Sequence, residues 1–375
     1  MKLIGCDISE FMQRTKNKEV VCWGAGYWLR HLSDNSDTGI EKCFSYVVDS
    51  NEKLWGTKVI VGGRELEIHP PQCLYDTVSD RTILLITFYS CLSLLEELNL
   101  NPKFECVECY SSRSISRYEE DKILYSVPPI SNGYKMNESP QIPKVLHYIW
   151  FGDKVLPDKF KKFLDSWHKL CSDYEIIEWN QSNYDLSAHP YMRDAAVLGR
   201  YAFASDYARL DIIYKHGGIY FDLDVELVRN IDELLYYSAF CGFMTARLVN
   251  TGHGFGARAS HPMIKLLRDE YDSVPFLETR KPDNDWKYTM CVDIQTPVLQ
   301  NHGLKLNGEF QILHDTAILP AIYFNPYSIF TDRNLSNEHT FSIHHYASSW
   351  LNKDELNTLF SNHRYQFHKF RPTQK

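Results

Sequence analysis

Two aspartates near the middle of the chain have the spacing of a metal site. Asp222 and Asp224 form an Asp-x-Asp sequence directly after the apolar segment Ile219-Tyr220-Phe221. In an extended segment, residues two apart point the same way, so both carboxylates could face one site. Such oxygen ligands hold Mg²⁺ or Mn²⁺, and the ion can bridge a diphosphate. Short acidic pairs also arise by chance, as Asp283-Asn284-Asp285 does in a polar loop, so an ordinary turn is the alternative.

A second charged pair precedes this sequence on a predicted helix. Asp206 and Arg209 lie three residues apart, and therefore on one helix face. They could clamp a sugar hydroxyl or a phosphate. The alternative is a surface salt bridge, which would contribute only about 0.2–0.5 kcal/mol.

A third candidate group lies near the carboxyl end, in the sequence His344-His345-Tyr346-Ala347-Ser348-Ser349-Trp350. His345 or Ser348 could complete the coordination of an ion, and Trp350 could cover a phosphate. The alternative is the end of an amphipathic strand whose histidines have ordinary hydrogen-bond partners.

The elements around these residues alternate between strands and helices. The second half of the chain predicts strands at Lys144 to Gly152, Glu175 to Trp179 and Ile219 to Phe221, with helices at Asp158 to Leu170 and Tyr201 to His216. Gly217-Gly218 would stop the second helix. This alternation predicts an α/β sheet, and ligands bind outside the carboxyl ends of the strands in such sheets.

The first part of the chain predicts a smaller α/β unit of the Rossmann kind. Its strands are expected at Glu19 to Trp23, Cys43 to Val48 and Thr82 to Thr87. Gly24 and Gly26 follow the first strand and Asp49 follows the second, which is the placement of a nucleotide site. Leu29 replaces the third glycine of the dinucleotide pattern, so a purely structural turn is the alternative, and a nicotinamide oxidoreductase has only these glycines in its favour.

The composition of the chain limits its functional class, its domain division and its cellular compartment. The chain has 375 residues, 44% of them hydrophobic, and a net charge of −8, which argues against nucleic-acid binding and against a disordered chain. A segment rich in Pro, Ser and Asn at 126–141 predicts a linker between domains at 1–125 and 142–375. Asp7 and Glu10 interrupt any apolar leader, and the 10 cysteines are scattered, so we expect a cytoplasmic protein with reduced thiols.

Three segments together resemble glycosyltransferase family 32, the Asp-x-Asp sugar transferases that include bacterial capsule enzymes and yeast mannosyltransferases. They are IPKVLHYIWFG, SDYARLDIIYKHGGIYFDLD and HHYASSW, which occur in that order within residues 142–350. The donor site is also similar to that of the clostridial glucosylating toxins. The first unit resembles the small Rossmann-like domains often fused to polysaccharide-synthesis enzymes.

The resemblance implies a GT-A fold, a UDP- or GDP-sugar donor, Mn²⁺ or Mg²⁺, and retention of the anomeric configuration. It implies that Asp224 binds the metal directly and that Asp222 contacts the donor. It also implies that Asp206 and Arg209 bind the donor sugar and that Ser348 is a metal ligand. The aromatic residues that it implies for donor binding are Trp150, Phe151, Tyr220 and Trp350. The toxins carry a carboxylate where this chain has His345, which remains a competent Mn²⁺ ligand.

We therefore expect a metal-dependent, retaining glycosyltransferase that builds capsule or O-antigen polysaccharide on a glycan acceptor, which in this family is often lipid-linked. The alternative is a catalytically degenerate sugar-nucleotide-binding or scaffold protein of the same assembly. The tail from Asn362 interleaves four cationic residues with three aromatic rings, namely Arg364, Lys369, Arg371, Lys375, Tyr365, Phe367 and Phe370. We hypothesise that this tail makes a peripheral membrane contact; a last helix packed on the core is the alternative.

Overall fold

A computed structural model describes residues 1–26, 29–30, 39–88, 92–126, 130, 136–152, 155–276, 289–328, 331 and 333–347. The chain divides into two compact units. The first comprises Met1–Ile123 with Ile329–Arg333 and Leu351–Lys375, and the second comprises Leu124–Ser328 with Asn334–Trp350.

The first unit contains a seven-stranded sheet in the order β1-β7-β6-β2-β3-β5-β4. All neighbouring strands are parallel except β4 and β5. The strands are β1 Lys2–Leu3, β2 Glu19–Trp23, β3 Phe44–Val48, β4 Lys58–Val61, β5 Arg64–His69, β6 Thr82–Ile86 and β7 Glu108–Ser111. The described helices of this part are α1 Ile8–Arg14, α2 Pro71–Thr77, α3 Leu92–Leu100 and α4 Ser112–Tyr125. Short 3₁₀ turns occupy Ile40–Cys43, Glu52–Leu54 and Pro102–Phe104.

The central strands of this sheet have continuous apolar sequences because both of their faces are covered. All five residues of β6 are buried, as are the last four of β2. The predicted strand at Glu19 to Trp23 is confirmed at both ends, and the other two predicted strands are each confirmed to within one residue.

From residue 124 onward, a mixed sheet runs in the order β15-β16-β12-β14-β10-β8-β9, with β13 paired to β12. The strands are β8 Val145–Ile149, β9 Glu175–Trp179, β10 Gly218–Tyr220, β11 Val225–Leu227, β12 Ala239–Thr245, β13 Leu248–Val249, β14 Phe255–Ala257, β15 Gln311–Leu313, β16 Thr316–Leu319, β17 Tyr327–Ser328, β18 Arg333–Asn334 and β19 Ser342–His344. The described helices are α5 Asp158–Leu170, α6 Pro190–Val197, α7 Tyr201–His216, α8 Pro262–Asp269 and α9 Cys291–Asn301. Further 3₁₀ turns lie at Asp232–Tyr236, Glu270–Ser273 and Ala321–Tyr323.

Strands β9, β8 and β10 are parallel neighbours, whereas β14 runs antiparallel between β10 and β12. The small two-stranded sheet β11–β19 is antiparallel and separate. Strands β8, β9 and β10, which the sequence predicts, thus form a parallel group, and the predicted α/β fold class is confirmed for the chain.

Helix α7 occupies the centre of this unit and leads directly into β10. The sequence predicts both of its ends correctly, and those of α5 and β9 as well. Gly217 follows α7 with a φ of 69°, a conformation that favours glycine, and its N–H donates to the Ile213 carbonyl. Phe203 and Leu210 of this helix are buried, while Tyr207 and Tyr214 on the same face are half-buried. The helix also buries three charged residues: Asp206, Arg209 and Asp211.

Described residues of the predicted linker are fixed to the second unit by hydrogen bonds. The Ile130 N–H donates to the Tyr323 hydroxyl at 2.8 Å, and the Asn137 amide donates to the Tyr236 carbonyl at 3.0 Å. Residues 127–129 and 131–135 lie outside the described part of the chain. Within the described residues, every helix is too short or too polar to cross a lipid bilayer.

Candidate functional site

The site lies at the carboxyl ends of two neighbouring parallel strands, β8 and β10. Strand β10 is in register with β8, with Tyr220 opposite His147. Trp150 and Phe151 follow the end of β8, and Asp222 follows the end of β10 by two residues. Parallel strands bring their carboxyl ends to one edge, and α/β sheets bind ligands at that edge.

Asp222 and Asp224 lie in a tight turn, not in an extended strand as the sequence argument assumed. The Val225 N–H donates to the Asp222 carbonyl at 3.0 Å, which closes the turn before β11 begins. Both aspartate side chains nevertheless converge, because β19 pairs with β11 and brings His344 opposite Val225. The convergence therefore depends on a strand more than 100 residues later in the chain.

His344 completes a three-residue cluster with the two aspartates. Its Nε2 lies 3.2 Å from Asp224 Oδ1 and 4.0 Å from Asp222 Oδ2. One ligand atom from each residue lies within 4.8 Å of the others. Ligand atoms at right angles around an ion with bonds of about 2.1 Å are separated by about 3.0 Å, and opposite ones by about 4.2 Å. The separations of 3.2 and 4.0 Å from His344 lie within this range, so they suit a divalent ion, and the imidazole nitrogen suits Mn²⁺ or another transition metal better than Mg²⁺.

His345, the histidine that we expected in the metal site, points elsewhere. Its Nε2 lies 2.8 Å from Glu226 Oε2, and its ring stacks on Phe163 with centroids 4.7 Å apart. Neighbouring residues of an extended segment point in opposite directions, so only one of the two adjacent histidines can face Asp224. His344 takes the place that the sequence analysis gave to His345, while the other predicted ligand, Ser348, lies outside the described residues.

Asp206 and Arg209 form a buried ion pair and not the surface salt bridge considered as the alternative. Arg209 Nη2 donates to Asp206 Oδ1, and Arg209 Nη1 lies 3.3 Å from Asp222 Oδ1. The Tyr220 hydroxyl donates to the same Asp222 oxygen at 2.8 Å. The predicted sugar-binding pair and the predicted metal pair thus belong to one connected network.

Burial and neighbouring charges shift the pKa values of these groups. Burial raises the pKa of Asp206 to about 6, although Arg209 opposes the shift. Burial also raises the pKa of Asp222. For Asp224, the effect of burial is outweighed by His344 and by the Ala347 N–H, which donates to Oδ2 at 2.7 Å, so its pKa falls below the usual range. Asp224 is therefore the carboxylate that stays ionised most readily, as a metal ligand must.

One loop of the site was missed from the sequence alone. Asn250, Gly252 and His253 follow β13, and the Gly252 carbonyl accepts the Asp222 N–H at 3.0 Å. A Cβ on Gly252 would lie 2.3 Å from Asp222 Oδ2, so no larger residue fits there without moving that carboxylate. The buried ring of His253 lies 4.6 Å from the ring of His344. The sequence offered only a short glycine-rich run as a signal.

The predicted donor-binding aromatics have different environments. Trp150 is half-buried, and its ring centroid lies 5.9 Å from that of Phe160. Phe151 is buried, and its ring centroid lies 6.1 Å from that of Tyr184. Tyr220 is buried, and its hydroxyl donates to Asp222 of the ligand cluster. Trp350 lies outside the described residues.

In the first unit, the turn that contains Gly24 and Gly26 is hydrogen-bonded to Asp49. The Ala25 N–H donates to Asp49 Oδ2 at 2.7 Å, and the Asn51 N–H donates to Asp49 Oδ1 at 2.8 Å. Gly24 has a φ of 113°, and its carbonyl accepts from the Thr87 hydroxyl at 2.6 Å. Gly26 has open space on its Cβ side. The Ala25 amide, which a phosphate would need as a donor, is thus already bonded to the Asp49 carboxylate. This arrangement agrees better with a structural turn than with the predicted nucleotide site.

Comparison with known proteins finds similarity to glycosyltransferases, in part within the second unit. Residues 157–241 match the family described as a glycosyltransferase sugar-binding region containing a DXD motif, and this segment includes Asp206, Arg209, Asp222 and Asp224. Inositol phosphoceramide mannosyltransferase 3 of Schizosaccharomyces pombe is 35% identical over 108 residues, which cover 28% of this chain and 30% of that protein. Mannosyltransferase 2 of the same organism is 24% identical over 229 residues, covering 60% of this chain and 62% of that protein.

Two further similarities cover a larger share of the matched protein. The uncharacterized glycosyltransferase L373 of Acanthamoeba polyphaga mimivirus is 23% identical over 243 residues, which cover 60% of this chain and 90% of that protein. The solved structure of the PaToxG glycosyltransferase has a TM-score of 0.32 and 17% identity, covering 56% of this chain and 76% of that chain. This chain thus spans less than two thirds of the length of the two yeast relatives. Its glycosyltransferase relatives and mixed α/β architecture are consistent with the expected GT-A-like fold.

Proposed function

We propose that this chain transfers a sugar from a nucleotide-sugar donor, with a divalent metal ion held by Asp222, Asp224 and His344. The observation that carries the proposal is the connected network of this cluster with the buried Asp206–Arg209 pair. Four of these five residues lie in the segment that matches the sugar-binding family. A surface turn would not require a buried arginine between two aspartates.

The residues of the chain have separable tasks in this scheme. A divalent ion at the cluster would neutralise the charge that develops on a departing nucleoside diphosphate. Asp224 and His344 would hold the ion, while Arg209 lies beside the Asp222 carboxylate and would orient it toward the ion. Asp206 fixes the Arg209 guanidinium beside the Asp222 carboxylate. Trp150 lies at the strand edge where a nucleobase could stack.

The finer features of the reaction extend this proposal. We infer membership of glycosyltransferase family 32, cytoplasmic action, and retention of the donor configuration by attack on the face from which the diphosphate leaves. The two yeast relatives are named as inositol phosphoceramide mannosyltransferases, which favours a mannosyl donor and a lipid-borne acceptor for this chain. A lipid-linked precursor of a capsule or O-antigen polysaccharide would satisfy the same acceptor chemistry.

Metal-dependent donor hydrolysis by the full chain is the direct experiment. The purified protein is incubated with GDP-mannose and UDP-glucose, with Mn²⁺ or with excess chelator, and release of the nucleoside diphosphate is measured. We expect hydrolysis of one donor that requires the ion and is lost in Asp224→Asn. Asp285→Asn is the matched control because it changes the second Asp-x-Asp sequence, and it should leave the rate unchanged.

The same experiment distinguishes the alternative function. Donor binding in a thermal-shift titration without any hydrolysis or transfer would indicate a sugar-nucleotide-binding scaffold. Full activity in excess chelator would contradict the metal role of the cluster. Once an acceptor is identified, the anomeric coupling of the product in an NMR spectrum tests retention.

A further inference from the structure

The first unit contains a cavity at the position where open α/β sheets bind their ligands. Strand β2 lies between β6 and β3, and the chain passes from β2 to β3 on one side and later returns to β6 on the other. This change of direction is the topological switch point, and ligands of doubly wound folds bind outside it. A cavity of about 320 Å³ opens there, with Trp23 from the end of β2, Ser50 after β3 and Phe88 after β6 in its wall.

Three aromatic residues line this cavity, Trp23, Tyr75 and Phe88. Trp23 is buried, and its indole N–H donates to the Ser50 hydroxyl at 3.3 Å. The Tyr75 ring stands nearly perpendicular to the indole, at 81° with centroids 6.3 Å apart. Phe88 is half-buried on a further side. Aromatic faces carry partial negative charge, so an enclosure of this kind attracts cations.

The one charged side chain among the described lining residues is a carboxylate. Glu97 of α3 accepts a hydrogen bond from the Tyr75 hydroxyl at 2.8 Å and is exposed at the mouth of the cavity. Within the described lining there is no lysine, arginine or histidine. A phosphate would meet this carboxylate without a compensating base, and the nearby amide of Ala25 is already bonded to Asp49. The chemistry of the cavity thus disfavours a nucleotide and favours a positively charged ligand.

We propose that this cavity binds a small organic cation, with its ammonium group against the rings of Trp23, Tyr75 and Phe88 and paired with the Glu97 carboxylate. The argument stands on the arrangement of three aromatic rings and one carboxylate at the switch point of the sheet. It is independent of the proposed sugar transfer, since every residue involved belongs to the first unit.

A pair of isosteric probes tests the proposal in the full chain. Choline and its uncharged isostere 3,3-dimethyl-1-butanol have nearly the same shape, so a difference between them reports the positive charge. Binding is measured by isothermal titration calorimetry and by thermal shift, because a ligand of the native state raises Tm by mass action. We expect choline to bind at least tenfold more tightly than the alcohol.

Substitutions assign that binding to the cavity. Glu97→Gln keeps the shape of an exposed side chain and removes its charge, and it should weaken choline binding about tenfold. Glu105→Gln removes the same charge from another exposed position of the first unit, outside the cavity lining, and should have no effect. Equal binding of the two probes, unchanged choline binding in Glu97→Gln, or no choline binding up to tens of millimolar would each overturn the proposal.

Discussion

Replacing each of the two adjacent histidines in turn tests the geometry of the candidate metal site. His344 Nε2 faces Asp224 at 3.2 Å, whereas His345 Nε2 is bonded to Glu226. We therefore expect His344→Ala to weaken Mn²⁺ binding and His345→Ala to leave it unchanged. The two variants delete the same side chain at neighbouring positions, so each controls for the other.

The size of the effect follows from the number of ligands. The described part of the chain supplies three ligand side chains, and His344→Ala removes one of them. Loss of a residue that merely supports a metal ligand typically costs about 10–100-fold in affinity, so loss of a ligand should cost at least about tenfold, or about 1.4 kcal/mol. His345→Ala removes a half-exposed stack on Phe163 and should cost less than about 1 kcal/mol of stability.

Electron paramagnetic resonance of Mn²⁺ measures the result without requiring activity. The signal of the free ion falls as the protein binds it, so a titration gives the Kd for the parent chain and for each variant. Thermal unfolding in the absence of metal shows that both variants are folded. Equal Kd values for the two variants, or loss of binding in His345→Ala alone, would refute the assignment of His344 as a ligand.

Three further predictions concern the surroundings of the cluster. Trp150→Ala should weaken donor binding by about 1–3 kcal/mol if the indole stacks on the nucleobase. Calorimetry with the nucleotide sugar that the protein accepts as a donor measures this loss, and an unchanged Tm shows that the variant is folded. Gly252→Ala should weaken Mn²⁺ binding because its Cβ would displace the Asp222 carboxylate, whereas Gly26→Ala, with nothing within 4 Å, should not. His147 has a pKa lowered to about 4 by burial, so its contribution to stability is complete above about pH 6.5 and is lost as the pH falls toward 4. With a pKa of about 4 in the folded chain and about 6.5 in the unfolded chain, the loss of stability should reach about 2 kcal/mol at pH 5. The free energy of unfolding of His147→Gln, measured in urea, should therefore depend less on pH between pH 7 and 5 than that of the parent chain.

The hydrogen bonds of His147 explain the sign of that last effect. The Trp179 indole N–H donates to His147 Nδ1 at 3.0 Å, and His147 Nε2 lies 2.9 Å from the Gly217 carbonyl. Nδ1 therefore acts as an acceptor and Nε2 as a donor, which is the neutral tautomer. A second proton on Nδ1 would face the indole N–H, so protonation must break this contact between β8, β9 and the end of α7.

The sequence predicts elements well where local signals are strong. The ends of α7 follow from its apolar spacing and from Gly217, and the positions of Asp222 and Asp224 follow from the strand before them. Such signals require no knowledge of distant residues, because helix periodicity and glycine conformations act within a few residues.

The sequence predicts the site less well where distant strands decide it. The choice between His344 and His345 depends on the register of β19 against β11, and a shift by one residue would exchange their directions. Asn250 and His253 reach the site only because β13 pairs with β12, a contact that no local pattern signals. For Asp49, its position after the second predicted strand suggested a nucleotide site, but the structure shows a hydrogen bond from the Ala25 N–H that depends on the folded turn.

The charges of the site provide an independent argument for a divalent ion. Among the described residues, the network joins three carboxylates, those of Asp206, Asp222 and Asp224, with one arginine, Arg209, which pairs with the first two. Partly buried carboxylates are costly without compensation, so an arrangement with two surplus negative charges is unfavourable unless positive charge enters. Burial lowers the pKa of His344, but Asp224 and Asp222 outweigh this effect and raise it, so these carboxylates favour a positive charge on the ring. A bound divalent ion would supply both missing charges and would require the neutral imidazole as its ligand, so the same carboxylates that attract the proton favour its replacement by the metal.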